Sequence, residues 1–306
     1  MQLENIKDGL FNMDSLTIIG LTLVVFVTLL LIFFWAGFRR RFPGFQPEIQ
    51  TPSPETISIP DYLPDPLKTH YQSIFEGREI PLTHSAVLWG TARFKISNLW
   101  MPLRYMTHYR SGDGFLREME FFWHGKTILK GIDFFLKGIG AVQANGVIRM
   151  NESGQHVTES QWISFWAESV ITATVDITDP ALRWEVVNQQ QVNVYLPPAS
   201  LKNKEEKECH LKIHFNTKTG RIDTIRTERF RGQLENNRIP WCIKVNRWHR
   251  KDEGWIPDYS IKWEDQKKPW CYYKLDGIVR NVPVEKSLNH INPEQYRKET
   301  IQRKAR

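Results

Sequence analysis

SAVLWGTARFKI, residues 85 to 96, sets Val87, Trp89, Thr91 and Arg93 against Leu88, Ala92, Phe94 and Ile96. A period of two sends successive side chains to opposite faces of a strand, so this stretch reads as a strand with one face in a core. Runs of the same kind follow at 103–109, 115–123, 127–136 and 141–150. Turn-forming residues separate them: Ser111-Gly112-Asp113-Gly114, His124-Gly125-Lys126, Gly138-Ile139-Gly140 and Asn151-Glu152-Ser153-Gly154. A repeat of about 10 to 14 residues leaves no room for helical crossovers, so the strands form an antiparallel meander.

One helix interrupts the pattern. Thr158 with Gln161 three residues on matches a capping box, and Trp162, Phe165, Trp166, Ser169 and Val170 share one face at helical spacing. Strands resume at 182–187 and 191–196, a charged loop occupies 202–207, and runs at 210–215, 222–230, 241–248, 256–263 and 270–279 complete the set. The chain is mainly β (α+β): about eleven strands in a large curved antiparallel sheet or half-barrel, with one or two covering helices. The concave face of such a sheet must be covered, close into a barrel, or hold a ligand.

Upstream the pattern changes. Residues 15–38 carry no charged side chain, and Arg39, Arg40 and Arg41 follow at once. About 20 apolar residues rising about 1.5 Å each cross a bilayer core of about 30 Å. Phe33, Phe34 and Trp35 stand where aromatic rings prefer the headgroup level. A cleaved signal has a shorter apolar region behind positive charge, whereas here Glu4, Asp8 and Asp14 oppose Lys7 alone. The reading is a single-pass transmembrane helix flanked by Trp35, Arg39, Arg40 and Arg41. The positive-inside rule then places the following domain on the cytoplasmic side of a bacterial inner or plasma membrane. Cys209, Cys242 and Cys271 are too few for a disulfide framework, which agrees.

Seven prolines between 43 and 66 make the next stretch a semi-rigid spacer. A short helix at 66–76, with Leu67, Tyr71 and Ile74 on one face, opens the domain. The expected organisation is a short N-terminal segment at 1–14, the membrane helix at 15–38, a basic and proline-rich linker at 39–61, a β-rich domain at 62–284, and a polar basic tail at 285–306 that frays or forms a surface helix. Of the net charge of +7, residues 1–38 contribute −2 and the remainder +9. That balance suits anionic lipid as well as plain solubility. The basic residues are mixed with acids and no recognition helix or zinc-finger spacing occurs, so nucleic acid is not an expected partner.

Leu63-Pro64-Asp65-Pro66 with Tyr71, Trp100-Met101-Pro102, Asp133 with Gly138 and Gly140, Glu159 with Trp166-Ala167-Glu168, and Gly254-Trp255-Ile256-Pro257 before Trp263 and Tyr273 stand in that order over residues 62–282. Together they resemble the landmarks of a bacterial family of membrane-tethered domains of unknown function. The resemblance implies a fold and no established chemistry. A sheet of this kind is also similar to the half-barrel of lipoprotein carriers, an analogy of fold.

No Walker loop, nucleophile elbow, His-Glu-x-x-His helix or Cys-x-x-Cys pair is present, which weakens the case for the common enzyme classes. His210 and His214 would sit about 13 Å apart on one strand face, so neither metal nor cofactor is expected. Asp133, between Ile132 and Phe134, reads either as a buried working carboxylate or as a charge turned to solvent or to a structural arginine. Trp89, Trp100, Trp123, Trp162, Trp166 and Trp263, with Asp133 and Glu168, are the candidate lining of an apolar pocket; Trp184, Trp241, Trp248, Trp255 and Trp270 are open to the same role, and each tryptophan is equally open to a core role. The expected function is a non-catalytic, membrane-anchored domain that binds membrane lipid or another apolar small molecule near the bilayer; no protein partner is identifiable. Two alternatives stand: an enzyme on an apolar or envelope-derived substrate with Asp133 or Glu168 as acid or base, and a tethered scaffold that recruits a partner by strand addition.

Overall fold

The computed structural model describes residues 15–45, 47, 55–96, 98–197, 209–251 and 254–296. The expected 1–14 segment, the 202–207 loop, positions 46 and 48–54 of the expected linker and positions 297–306 of the tail lie outside the described residues.

Helix α1 (Ser15–Gly37) exposes its leucines, valines and phenylalanines on every side. The hydroxyls of Thr22 and Thr28 turn back onto the carbonyls of Ile18 and Val24 at 2.9 and 2.8 Å, so the helix needs no outside partner for them. By length and composition it can cross a membrane.

The sheet grows outward from its middle. Strands β3 (Ser85–Ile96), β4 (Leu99–Arg110), β5 (Gly114–Trp123), β6 (Lys126–Leu136), β7 (Ile139–Gly146) and β8 (Arg149–Ser153) form one meander. Helix α3 (Gln155–Ile171) carries the chain to the far edge. There β9 (Arg183–Asn188), β10 (Gln191–Tyr195), β11 (His210–Phe215), β12 (Ile222–Arg229), β13 (Ile239–Lys251), β14 (Gly254–Trp263) and β15 (Cys271–Arg280) meander back until β15 pairs with β3. The result is one 13-stranded antiparallel sheet in the order β8-β7-β6-β5-β4-β3-β15-β14-β13-β12-β11-β10-β9. Outside it, β1 (Thr56–Ile57) pairs with β2 (Ile80–Pro81), and helix α2 (Asp65–Ile74) buries Leu67, Tyr71 and Ile74 as their spacing requires.

Helix α3 shows how the sheet curves. It packs on β5 to β8 of one half and on β12 of the other. Seven strands separate β7 from β12, so a single helix reaches both only because the sheet curls around it. The face toward α3 is therefore concave. Leu103, Phe115, Phe121, Trp241, Ile243 and Ile261 share its core with Trp162, Phe165 and Trp166 of α3. The convex face is capped over part of its width by the C-terminal segment: Val282, Val284, Leu288 of helix α4 (Glu285–Asn289) and Tyr296 pack on Val87, Leu116 and Phe134.

Four expectations need correction. The run at 141–150 is two strands, because the chain reverses at Val147-Ile148, while 151–153 extends β8 instead of turning. Helix α3 begins at Gln155, three residues before the expected cap; Thr158 Oγ1 instead accepts the Gly140 amide at 2.9 Å and ties the helix to β7. The tail is not wholly a surface element, since Tyr296 is buried against Phe134 and bonds Gln143 at 2.9 Å. The described ends of the expected spacer are docked: Phe42 stacks on Phe122 at 4.4 Å, and Arg104 reaches Pro43 O at 3.2 Å with its guanidinium over Phe45.

Candidate functional site

Strand alternation should line a concave core with apolar side chains, and four charged ones break the rule. β5 sends Phe115, Arg117, Met119 and Phe121 inward; β6 sends Leu129, Gly131, Asp133 and Phe135. The register sets Arg117 directly opposite Asp133. Glu168 of α3 and Arg229 of β12 complete the group.

Arg117 uses four of its five N–H donors. Its Nη2 donates to Glu168 Oε2 at 2.7 Å, Nη1 to Tyr273 OH at 2.7 Å, Nε to Thr107 Oγ1 at 3.3 Å, and Nη1 lies 3.5 Å from Asp133 Oδ2. Tyr259 OH adds a bond to Glu168 Oε2 at 2.8 Å. Burial works against the Arg117 cation, yet Asp133 and Glu168 outweigh it and hold its pKa above its ordinary value. Asp133 is less well served. Burial pushes its carboxyl up to about 6 although Arg117 pulls the other way, and Oδ1 is buried without a hydrogen bond.

Arg229 is 9% exposed, and its guanidinium donates from Nη1 to Ser164 Oγ. Nε has no acceptor, and no carboxylate forms an ion pair with it among the described residues. Instead it lies over the Trp241 and Trp263 rings at 5.1 and 5.6 Å. Burial lowers its pKa to about 10 despite the more distant attraction of Glu168 and Asp133.

Around this group the concave face is not filled. A cavity of about 360 Å³ lies between the two halves of the sheet and α3, at the small end of the range for small-molecule sites. Phe94, Met119, Phe121, Leu129, Trp241, Ile261, Trp263 and Trp270 supply its apolar wall. Buried Arg117, Ser164 and Arg229 form its floor, while exposed Lys95, Ile148, Met150 and Arg231 mark its mouth. From α3 come Val157, Ser160, Gln161, Ser164 and Glu168, one helical stripe.

Of the residues singled out from sequence, Asp133, Glu168 and Trp263 meet in this cavity and the other five do not. Trp162 and Trp166 lie on the faces of α3 that bury into the core, so the helix offers its polar stripe to the cavity and keeps its indoles for packing. Trp89 projects from the convex face of β3 and lies flat on Gly277 of β15, where an added Cβ would fall 2.2 Å from the ring. Trp100 packs on Tyr272 at 5.3 Å. Trp241 and Trp270, two of the five further tryptophans, line it as well, whereas Arg117, Ser164 and Arg229 were missed. For Arg117 the signal was present: a lone charge in the row Phe115, Met119, Phe121.

Trp123 serves the helix α1 instead. Its Nε1 donates to Phe34 O at 3.0 Å, His124 Nε2 to Phe33 O at 3.0 Å, and the His124 amide to Gly37 O at 2.8 Å. The approach demands glycine at 37, where a Cβ would sit 2.2 Å from Trp123 Nε1. Trp35 and Arg39 to Arg41 are exposed beside this contact, with the Arg39 guanidinium 4.1 Å above the Trp35 ring. Because β3, β5 and β7 run parallel to one another, the turns that follow them lie along one edge of the sheet. α1 docks on the turn after β5. The cavity mouth includes Lys95 near the end of β3 and Ile148 in the turn after β7, on the same edge. Exposed Leu99, the first residue of β4, and exposed Val147 and Leu234, in turns, lie on that edge too.

A family model matches residues 53–275, and the chain belongs to that family, DUF6544, a family of unknown function. No curated protein matches it in sequence. Among solved structures it is similar to a LolA superfamily protein from Nitrosomonas europaea, at 6% identity over 72% of this chain and 94% of that one, with a TM-score of 0.42. A DUF1329 family protein from Desulfovibrio piger is 9% identical over 66% of this chain and 89% of its own, with a TM-score of 0.37. A domain assigned as an outer membrane lipoprotein-sorting protein from Vibrio parahaemolyticus is 10% identical over 67% and 89%, with a TM-score of 0.38.

Proposed function

We propose that this protein is a membrane-anchored, non-catalytic receptor for one apolar small molecule, held in the concave cavity and exchanged with the bilayer. The observation that carries the reading is the placement of the cavity mouth on the sheet edge to which α1 is docked. A molecule leaving the membrane there meets Ile148 and Met150 first and the aromatic wall next, without crossing open water. On this reading α1 is an uncleaved anchor, Arg39, Arg40 and Arg41 hold the domain on the cytoplasmic side, and residues 62–284 act as one unit.

Native mass spectrometry of the full chain after gentle extraction tests the ligand. One co-purifying apolar molecule per chain is expected, and a bare chain in every preparation contradicts the proposal. Protease added outside sealed inner-membrane vesicles of known sidedness tests the orientation.

Asp133 gives the enzyme reading its main foothold, as a cavity carboxyl whose pKa burial raises to about 6. If Asp133→Asn leaves ligand turnover and cellular phenotype intact, Asp133 drops out of that reading; if Glu168→Gln does so too, the reading is finished.

A further inference from the structure

We propose that the cavity takes a single-chain carboxylic acid head inward, its carboxylate on the Arg229 guanidinium and its tail toward the mouth. This deepens the apolar-receptor reading and rests on it.

The argument begins with what Arg229 lacks. A guanidinium has five N–H donors and accepts nothing. Arg117, its neighbour on the cavity floor, spends its donors on Glu168, Tyr273, Thr107 and Asp133. Arg229, equally out of water, has one serine hydroxyl and two indole faces. A buried cation with idle donors is costly, and a bidentate carboxylate is the group that matches its planar fork. Glu168 does not fill that role: its bonds go to Arg117 and Tyr259, and no hydrogen bond or ion pair joins it to Arg229 among the described residues.

Charge and size narrow the ligand. With Asp133 and Glu168 ionised, the floor balances at two positive and two negative. An incoming carboxylate adds one negative charge, and Asp133, whose Oδ1 is unpaired, is the group placed to accept a compensating proton. A doubly charged phosphate would leave an excess that one proton does not remove. The cavity volume of about 360 Å³ equals roughly a dozen waters at about 30 Å³ each, and a methylene is of similar size. One chain of about a dozen carbons fills it; a two-chain lipid does not enter. Head outward, the carboxylate would meet only exposed Lys95 or Arg231 at the mouth, and the buried Arg229 donors would be left facing the apolar tail.

The test uses full-length protein in nanodiscs, titrated with dodecanoic acid, methyl dodecanoate and dodecyl phosphate and read by native mass spectrometry. The acid is expected to bind one to one and about ten- to a hundredfold more tightly than its ester. Arg229→Met should bring the acid down to the ester's level and leave the ester unchanged, with an unaltered melting temperature. Arg229→Gln, which keeps the polarity without the charge, repeats the comparison should the methionine variant misfold. Equal binding of acid and ester by the wild type overturns the head-inward assignment while the apolar-receptor reading stands. Acid preference that survives in both Arg229 variants, or tighter binding of the phosphate, overturns it as well. Failure of all three probes to bind removes the receptor reading itself.

Discussion

Two arginines lie on the floor of one cavity and face opposite circumstances. Arg117 is held by two carboxylates and two hydroxyls; Arg229 has a single hydroxyl and otherwise rests on tryptophan. Both are more than nine-tenths buried, so burial alone does not separate them. Partners do. Arg117 joins β5, β6, β15 and α3, and so serves the fold; Arg229 adds little to the fold and leaves donors facing the cavity.

The sharpest break between them is in stability. Arg117→Met strands Glu168 and Asp133 and should cost about 3–5 kcal/mol, seen as a lowered urea midpoint. Arg229→Met removes an underpaired charge and should stay within about 1 kcal/mol of wild type. Equal losses would erase the distinction.

Next in size is the pH response on the Arg117 side. Asp133 has a folded pKa of about 6 against an ordinary value of 3.8. The folded chain therefore keeps a proton that the unfolded chain releases. The resulting stabilisation is complete below about pH 4 and is lost as pH rises through about 6, by up to about 3 kcal/mol. Asp133→Asn should lack that fall. Buried His70, lowered to about 3, acts in the other direction: its contribution is full above about pH 6.5 and lost as pH drops. Midpoints of variant and wild type compared at each pH cancel the histidine.

How much of this could be read from the sequence depends on the kind of signal. The period of two at 85–96 announced a strand and split Trp89 from Phe94, but periodicity does not say which face is concave. Trp89 went to the convex side because Gly277 leaves a flat seat there. On α3 the tryptophan face was visible, yet in this curled sheet the helix is buried nearly all round and its quieter stripe, Ser160, Ser164 and Glu168, lines the cavity. Arg229 sits 112 positions from Arg117 in a strand of the opposite half, and only the closure of β15 on β3 makes them neighbours. The apolar helix at 15–37 was legible because an uncharged run of that length is read directly from the residues; its docking on Trp123 and His124 was not, because it depends on a backbone approach permitted by Gly37.

Smaller effects refine the contrast. Tyr259→Phe removes one donor to Glu168 and should cost about 1.5–2 kcal/mol of stability by urea titration. Ser164→Ala takes away the hydroxyl that accepts from Arg229 and should cost about 1–1.5 kcal/mol, the low end for a buried donor left unsatisfied, because the guanidinium keeps its contact with two indole rings.

The central claim is that the concave face holds a ligand-sized space open toward the bilayer edge. Gly131 lines it, and a Cβ there would sit 3.3 Å from Gln143 O and 3.4 Å from Met119 Cε, a tight fit that asks its neighbours to give by a few tenths of an ångström. Gly131→Leu should plug the cavity, and a melting temperature equal to that of the wild type shows that the sheet takes up the small shift. Titration of both proteins in nanodiscs with the apolar fluorophore N-phenyl-1-naphthylamine should give one saturable site per wild-type chain and none in the variant. Identical, unsaturable curves for the two, at equal melting temperatures, would contradict it.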